Sequence, residues 1–400
     1  MNLKQEKLTS SEWEYLEKPI DKKEKEILKF IYNSYENVNQ KYNTNISLLT
    51  FLKLKNNDAY HLYFYKNIFE NKFKKIYSKM NIKSLKIKYK KIVLKKSDKI
   101  RIDNSKDKLL NNVHIYEYVL LDFINKNINK KNIEYLYYTL KKLIKYNILN
   151  VNKYVIENIK YILDYYKDKV KKKNIIKNGL EIIERNVYIK KYLDIQLYSH
   201  QKDLFLKCKN KEPKLILYQA PTGTGKTVSP IGLVKKHKLI FVCAAKHIGL
   251  QLAKNCISLG IKIAIAFGCI DPSDIRLHYF AAKEYVKNRR TGGIFRVDNS
   301  IGDNVEIIIS DIQSYLHSMR YMLAFNEAEN ILWYWDEPTI TLDYKTHPFH
   351  NIIQKNWREN EIQNIILSSA TLPKKEEIIP CIMYYSQKFK TNNIYTIILI

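Results

Sequence analysis

The sequence predicts a chain of two unlike parts: a mainly helical, basic first half, and an α/β second half with a mainly parallel sheet and a phosphate-binding loop. Of ten Gly and nine Pro, residues 1–200 hold only Gly179 and Pro19, so the frequent tight turns of an alternating β/α fold belong to the second half. Apolar residues in the first half recur at helical spacing. In the second half an apolar run of strand type at 215–218 (LILY) leads directly into APTGTGKT at 220–227. At such a strand–loop junction, backbone N–H groups can be turned onto a phosphate. A length of 400 residues accommodates two or three domains.

The N-terminal elements follow from local pattern. Beyond the break at Pro19, Asp21 and Glu24 form a capping pair that opens a helix to about Tyr35. Residues 107–127 are apolar nearly all round. Residues 131–148 place Ile133, Leu136, Leu140, Leu143 and Ile144 on one face, and 154–167 do the same with Val155, Ile159, Ile162, Leu163 and Tyr166. Between these helices, residues 66–99 carry thirteen Lys and two acids, and 84–94 alternates Lys with Leu85, Ile87 and Tyr89 at a strand's period. That stretch reads either as a basic strand along a phosphate backbone or as a solvated lysine face. The expected division is therefore a mainly helical, basic accessory region over 1–190, an α/β phosphate-binding domain over 195–380, and at 381–400 the truncated start of a following element.

The formal charge of +29 comes from 69 Lys and Arg against 40 Asp and Glu, with +21 of it in residues 1–200 and +8 in 201–400. It permits an anionic partner. Only eight of the 69 basic residues are Arg, however, and the abundance of Asn, Ile and 32 Tyr is what an AT-rich genome's codons produce. Six of the arginines (Arg276, Arg289, Arg290, Arg296, Arg320, Arg358) lie in the second half, where codon drift toward Lys explains them least. No apolar run approaches the length of a membrane span, and the first twenty residues lack a signal peptide's apolar core. A soluble, intracellular protein without a membrane partner is expected. Cys208, Cys243, Cys256, Cys269 and Cys381 contain no C-x-x-C pair and read as reduced thiols. His347 and His350, with Asp343, lack a fourth ligand for zinc, so a structural role is expected there.

Chemistry concentrates downstream of residue 197. In the loop Pro221, Thr222, Gly223, Thr224 and Gly225 would wrap the phosphates, Lys226 would reach the β- and γ-phosphates, and the Thr227 hydroxyl would meet Mg²⁺. Ala220 stands where the general pattern has its first glycine. A second apolar strand at 330–335 ends in Asp336-Glu337-Pro338-Thr339, and a third at 364–367 ends in Ser368-Ser369-Ala370-Thr371. Carboxylates at a strand's C-terminal end lie where α/β sheets bind ligands. Asp336 would hold Mg²⁺, and Glu337 would orient and deprotonate the attacking water. Pro230, four residues after Lys226, denies the outgoing helix one N–H, and a local kink is expected.

Gln201, APTGTGKT, DEPT and SAT, in that order, resemble the first RecA-like motor domain of superfamily 2 DEAD/DEAH-like helicases over about residues 195–375. The wording around the loop and the acidic pair looks most like the helicases of large AT-rich DNA viruses, which would place the protein in host cytoplasm, viral factory or virion. The resemblance implies an ATP-dependent helicase or translocase on DNA or RNA, with ATP and Mg²⁺ as cofactors. It gives Gln201 the reading of adenine, Ser369, Ala370 and Thr371 the coupling of phosphate loss to nucleic-acid grip, and Lys246 a phosphate contact in the segment 243–251. Thr339 replaces the family's Asp or His, and Ala244-Ala245 its usual Pro-Thr. No Gln-x-x-Gly-Arg-x-x-Arg box occurs, so the second RecA-like domain with its arginine fingers is expected in a longer chain or from a partner, and this chain alone should hydrolyse ATP poorly. Two other readings stay open: a non-catalytic ATP-sensing module that binds nucleic acid, and a P-loop ATPase or kinase unrelated to nucleic acid.

Overall fold

The computed structural model describes residues 5–399 apart from 44, 88–93, 95–114, 129–131, 146–147, 193, 288–293 and 342–343. Most of the Lys-rich alternation at 84–94, the first part of the helix expected from 107, Arg289, Arg290 and Asp343 fall outside the described residues. The chain forms two compact units, Met1–Gln40 together with Leu197–Ile400, and Lys41–Gln196.

The first unit is an α/β domain built on a mainly parallel sheet. Its strands are β1 (Lys214–Gln219), β2 (Lys238–Cys243), β3 (Ile263–Ala266), β4 (Arg276–Leu277), β5 (Tyr285–Lys287), β6 (Ile294–Val297), β7 (Ile307–Ser310), β8 (Ile331–Asp336), β9 (Asn364–Ser369) and β10 (Ile394–Ile398). Eight of them form one sheet in the order β10-β1-β9-β8-β2-β7-β3-β4, and β5 pairs with β6 as a separate ribbon. Every pairing in the large sheet is parallel except β3 with β4. Parallel strands are covered on both faces and read as unbroken apolar runs, as β8 (ILWYWD, buried throughout) and β2 (KLIFVC) do. Trp333, Trp335 and Tyr315 stack on one side of the sheet, with centroids 4.1 Å apart for Tyr315–Trp333 and 5.0 Å for Trp333–Trp335.

Two expected boundaries move. Residues 1–40, grouped by sequence with the accessory region, belong to the α/β unit because their apolar and acidic side chains find partners there. The helix Lys22–Ser34 is capped by Asp21, which accepts from the Lys23 and Glu24 amides, and buries Leu28, Phe30 and Ile31. Tyr35 donates to or accepts from His237 Nε2 at 3.0 Å. At the other end, residues 381–399, expected as the start of a following element, belong to this unit: the helix Ile379–Phe389 leads into β10, which adds in parallel to β1 with Leu215 opposite Ile394 and Tyr218 opposite Ile397.

The second unit is helical, as its periodicity predicts. Helices Tyr116–Ile128, Ile133–Leu143 and Lys153–Lys167 correspond to the three periodic segments and share one core with Glu70–Met80. Within it Glu117 is fully buried; its Oε2 accepts from the Leu48 amide at 2.9 Å and its Oε1 from the Asn152 amide at 3.0 Å. The carboxyl thereby satisfies two backbone groups that no helix or strand serves. Among the described residues no helix is long and apolar enough to cross a membrane.

Burial pushes the Glu117 carboxyl up to about 7, although the two amides that it accepts from pull the other way. A carboxyl raised in the native state binds its proton there over a range where the unfolded chain has released it, so it stabilises the fold at low pH and loses that contribution as pH rises. The thermal unfolding midpoint of the chain is expected to drop as pH is raised from the ordinary carboxyl value of 4.5 to about 7, as read by far-ultraviolet circular dichroism across a pH series. Glu117→Gln should flatten that slope while lowering stability at the acid end, since one amide donor loses its acceptor.

Candidate nucleotide-binding site

Strands β1, β9 and β8 lie side by side and parallel, with Gln219 opposite Ser369 and Asp336 opposite Ser368. Their C-terminal ends therefore deliver three loops to one place. The chain leaves β1 through Ala220, which is fully buried and whose amide donates to Ser369 O at 3.3 Å; the methyl group that departs from the general loop pattern is absorbed by the core. Gly223 and Gly225 take φ of +79° and +81°, conformations that a side chain disfavours, and these fold the loop back on itself. Thr224 Oγ1 donates to Pro221 O at 2.7 Å and locks the turn. Pro221, Thr222 and Gly223 are exposed at its mouth, and Thr227 is half-buried beside Lys226.

Lys226 is 7% exposed, and its ammonium lies 3.4 Å from Glu337 Oε1. Asp336 closes β8 and is buried; burial, with the negative Glu337 beside it, lifts its carboxyl to about 7 against the pull of Lys226. Its Oδ1 is buried without a protein hydrogen-bond partner. A buried carboxylate oxygen left in that state suits a hard cation brought in with a nucleotide. Glu337 follows with φ of +53°, a left-handed conformation that costs a non-glycine residue on the order of 1 kcal/mol. Its amide donates to Ser368 O at 2.7 Å, its Oε2 accepts from Ser369 Oγ, and its Oε1 lies 3.4 Å from the Ala370 amide. The SAT segment thus grips the second carboxylate. Thr339 Oγ1 lies 3.3 Å from Ser369 Oγ, which also accepts from the Thr371 amide at 3.1 Å. The Thr339 hydroxyl thus reaches that cluster.

Pro230 departs from the expected kink, and Gln201 and Lys246 have protein partners that the sequence does not announce. Gln201 is 3% exposed on the underside of the loop. Its Nε2 donates to Gly225 O at 3.1 Å and lies 3.5 Å from Ser229 Oγ, while its Oε1 accepts from the Tyr198 amide at 3.2 Å. Its amide braces the loop from beneath. Pro230 produces no kink, because the helix begins only at Ser229 and runs to Leu233, with the proline in its first turn, where a missing N–H is not needed by the helix. Lys246 opens the helix Lys246–Leu259 at the end of β2, yet its ammonium pairs with Glu12 at 2.8 Å and lies 3.4 Å from Lys7 O.

That pairing belongs to a longer contact which no motif announces. Gln5 Nε2 donates to Ala244 O, Lys7 pairs with Asp274, and Glu17 lies 2.7 Å from His278 Nε2. Residues 5–17 therefore cover the C-terminal ends of β2 and β3. The histidine pair is structural as expected: His347 Nδ1 caps the helix Pro348–Glu359 through the Phe349 amide at 3.1 Å, and His350 bonds Thr341 O at 3.0 Å. Cys208, Cys243, Cys256 and Cys269 are buried and Cys381 is exposed.

No family model and no curated protein matches the chain. Solved structures similar to part of it are a hypothetical ATP-dependent RNA helicase from Sulfolobus tokodaii (15% identity, TM-score 0.32, covering 51% of this chain and 53% of that one) and a DEAD box protein from Methanococcus jannaschii (18%, 0.30, 51% and 54%). The Hef helicase domain of Pyrococcus furiosus is a third (16%, 0.30, 50% and 38%). The chain thus spans about half the length of the first two structures it resembles.

Proposed function

We propose that the α/β unit is the ATP-binding motor domain of a superfamily 2 helicase or translocase acting on DNA or RNA. The observation that carries this reading is the convergence of Lys226, Asp336, Glu337 and Ser369 at adjacent parallel strand ends. A phosphate loop alone fits any nucleotide-binding protein. A loop lysine beside a carboxylate that a third strand's hydroxyl holds in place fits hydrolysis linked to a conformational readout.

In this reading the loop amides and Lys226 bind the β- and γ-phosphates, and Lys226 exchanges Glu337 for the nucleotide as it does so. Mg²⁺, held by Asp336 and Thr227 when bound, would neutralise phosphate charge. Released from Lys226 but kept by Ser369 and Ala370, the Glu337 carboxylate orients a water and takes its proton as the oxygen attacks the γ-phosphorus, whose bond to the β–γ bridging oxygen breaks so that ADP leaves with the electron pair. The same Ser369 bond links the state of the phosphate site to the strand that carries Ala370 and Thr371. Lys246 would meet a polynucleotide phosphate, for which it must leave Glu12. A second motor domain, from a longer chain or a partner, would supply the arginines that raise turnover.

The chain is expected to retain a fluorescent ATP analogue and Lys226→Ala to weaken it by tenfold or more, since the buried carboxylates then face the phosphates uncompensated. Polynucleotide should raise the ATPase rate; a rate indifferent to every DNA and RNA offered would sink the motor reading. Glu12→Gln releases Lys246, so polynucleotide affinity should rise and the plot of log affinity against log salt should steepen by roughly one, the value for one added phosphate contact. Filter binding across a salt series reads both, and an unchanged slope would remove Lys246 from the interface.

A further inference from the structure

Pro230 takes away an amide that the turn after a phosphate loop ordinarily uses. In a helix running on from Lys226, the N–H of residue 230 would donate to the Lys226 carbonyl. In this chain that carbonyl accepts instead from the Ser229 amide at 3.1 Å and from the Tyr334 hydroxyl at 3.0 Å. Tyr334 is fully buried on β8, two residues before Asp336, with its ring stacked on Phe241 at 5.6 Å. Its oxygen also lies 3.0 Å from Ser368 Oγ on β9. A carbonyl can only accept, so the phenol's single proton lies on the Lys226 side.

We propose that Tyr334 is a positioning residue for Lys226: its hydroxyl replaces the amide that Pro230 lacks and ties the backbone of the loop lysine to the strands that carry Asp336 and Ser368. The inference rests on the reading of 220–227 as a nucleotide-binding loop. It comes from a proline that withholds one amide from the Lys226 carbonyl, which keeps the Ser229 amide, and a tyrosine on β8 that supplies a second donor. A buried carbonyl left with a single partner loses free energy comparable to a hydrogen bond, and the atom concerned is one side chain away from the ammonium that would grip the phosphates.

The test is a two-residue cycle read by equilibrium binding of a fluorescent ATP analogue to the full chain. Tyr334→Phe keeps the ring and its stacking and removes only the hydroxyl; it is expected to weaken the analogue about tenfold, the scale of one buried hydrogen bond. Adding Pro230→Ala restores an N–H four residues after Lys226, so the double variant should recover most of the affinity. A tyrosine that merely fills the core would lower the unfolding midpoint without any such rescue. Wild-type affinity in Tyr334→Phe, or a double variant no tighter than Tyr334→Phe, would overturn the proposal. Should the unsubstituted chain retain no nucleotide, the nucleotide reading fails separately, and amide exchange at Ser229 decides the tie: faster in Tyr334→Phe and slowed again in the double variant if it exists, unchanged if it does not.

Discussion

The site depends on the in-register parallel pairing of β1, β9 and β8. Parallel strands all end at the same edge of a sheet, so three sequence-distant segments around residues 220, 337 and 370 emerge together. Ser368 and Ser369 on β9 face Asp336 and Gln219 on either side, and a slip of one residue would turn each inward side chain to the opposite face. The register is fixed by apolar content: Ile216, Ile366 and Tyr334 are fully buried on adjacent strands, as are Trp333 and Leu332 on β8. Burial on both faces leaves no alternative register with an equal core.

The polar groups that this pairing brings together are held under tension. Two adjacent carboxylates and one ammonium occupy a largely desolvated strand end. Asp336 carries an oxygen without a hydrogen-bond partner, and Glu337 adopts a left-handed backbone. Each costs free energy in the absence of a ligand. Under the motor reading a nucleotide with its cation would relieve the first, because a cation would supply what Asp336 lacks, and it would take over the Lys226 ammonium that otherwise serves Glu337. Strain at a site and affinity for the group that removes it are two aspects of one arrangement, and the surrounding sheet supplies the stability that sustains it.

The strand–loop junctions at 220–227, 336–337 and 369–371 were legible because each comes after an apolar strand and uses residues whose chemistry is local: glycines for positive φ, a lysine, paired carboxylates. Helical periodicity likewise located the helices Ile133–Leu143 and Lys153–Lys167 and the end of Tyr116–Ile128, whose expected first part from 107 falls largely outside the described residues. The features that escaped reading depend on tertiary partners. Gln201 looks the same in sequence whether its amide meets adenine or Gly225 O. Tyr334 reads as one more aromatic in an apolar strand, although Pro230 already signals that Lys226 O needs an unusual donor. The apolar segment 394–398 reads as the start of something further because nothing local announces that β1 has a free edge. Residues 5–17 carry no motif, and only the folded chain brings Glu12 to Lys246.

That last contact changes the meaning of the charge. Residues 1–40 hold seven Lys and eight acids, whereas 41–196 hold 36 basic and 14 acidic residues. The balance of +29 is therefore concentrated in the helical unit, and the N-terminal arm is net acidic. It lies on the α/β unit where the family resemblance puts a polynucleotide phosphate, with Glu12 on Lys246 and Glu17 on His278. An acidic segment tethered within reach of a basic surface acts at high effective concentration, so under the motor reading a polynucleotide must displace an intramolecular carboxylate before it gains Lys246. Both contacts are screened by salt, but only one partner is polyvalent. Under the motor reading the arm would therefore penalise short or weakly charged ligands more than long ones, which would make chain length, rather than charge alone, the property this surface selects.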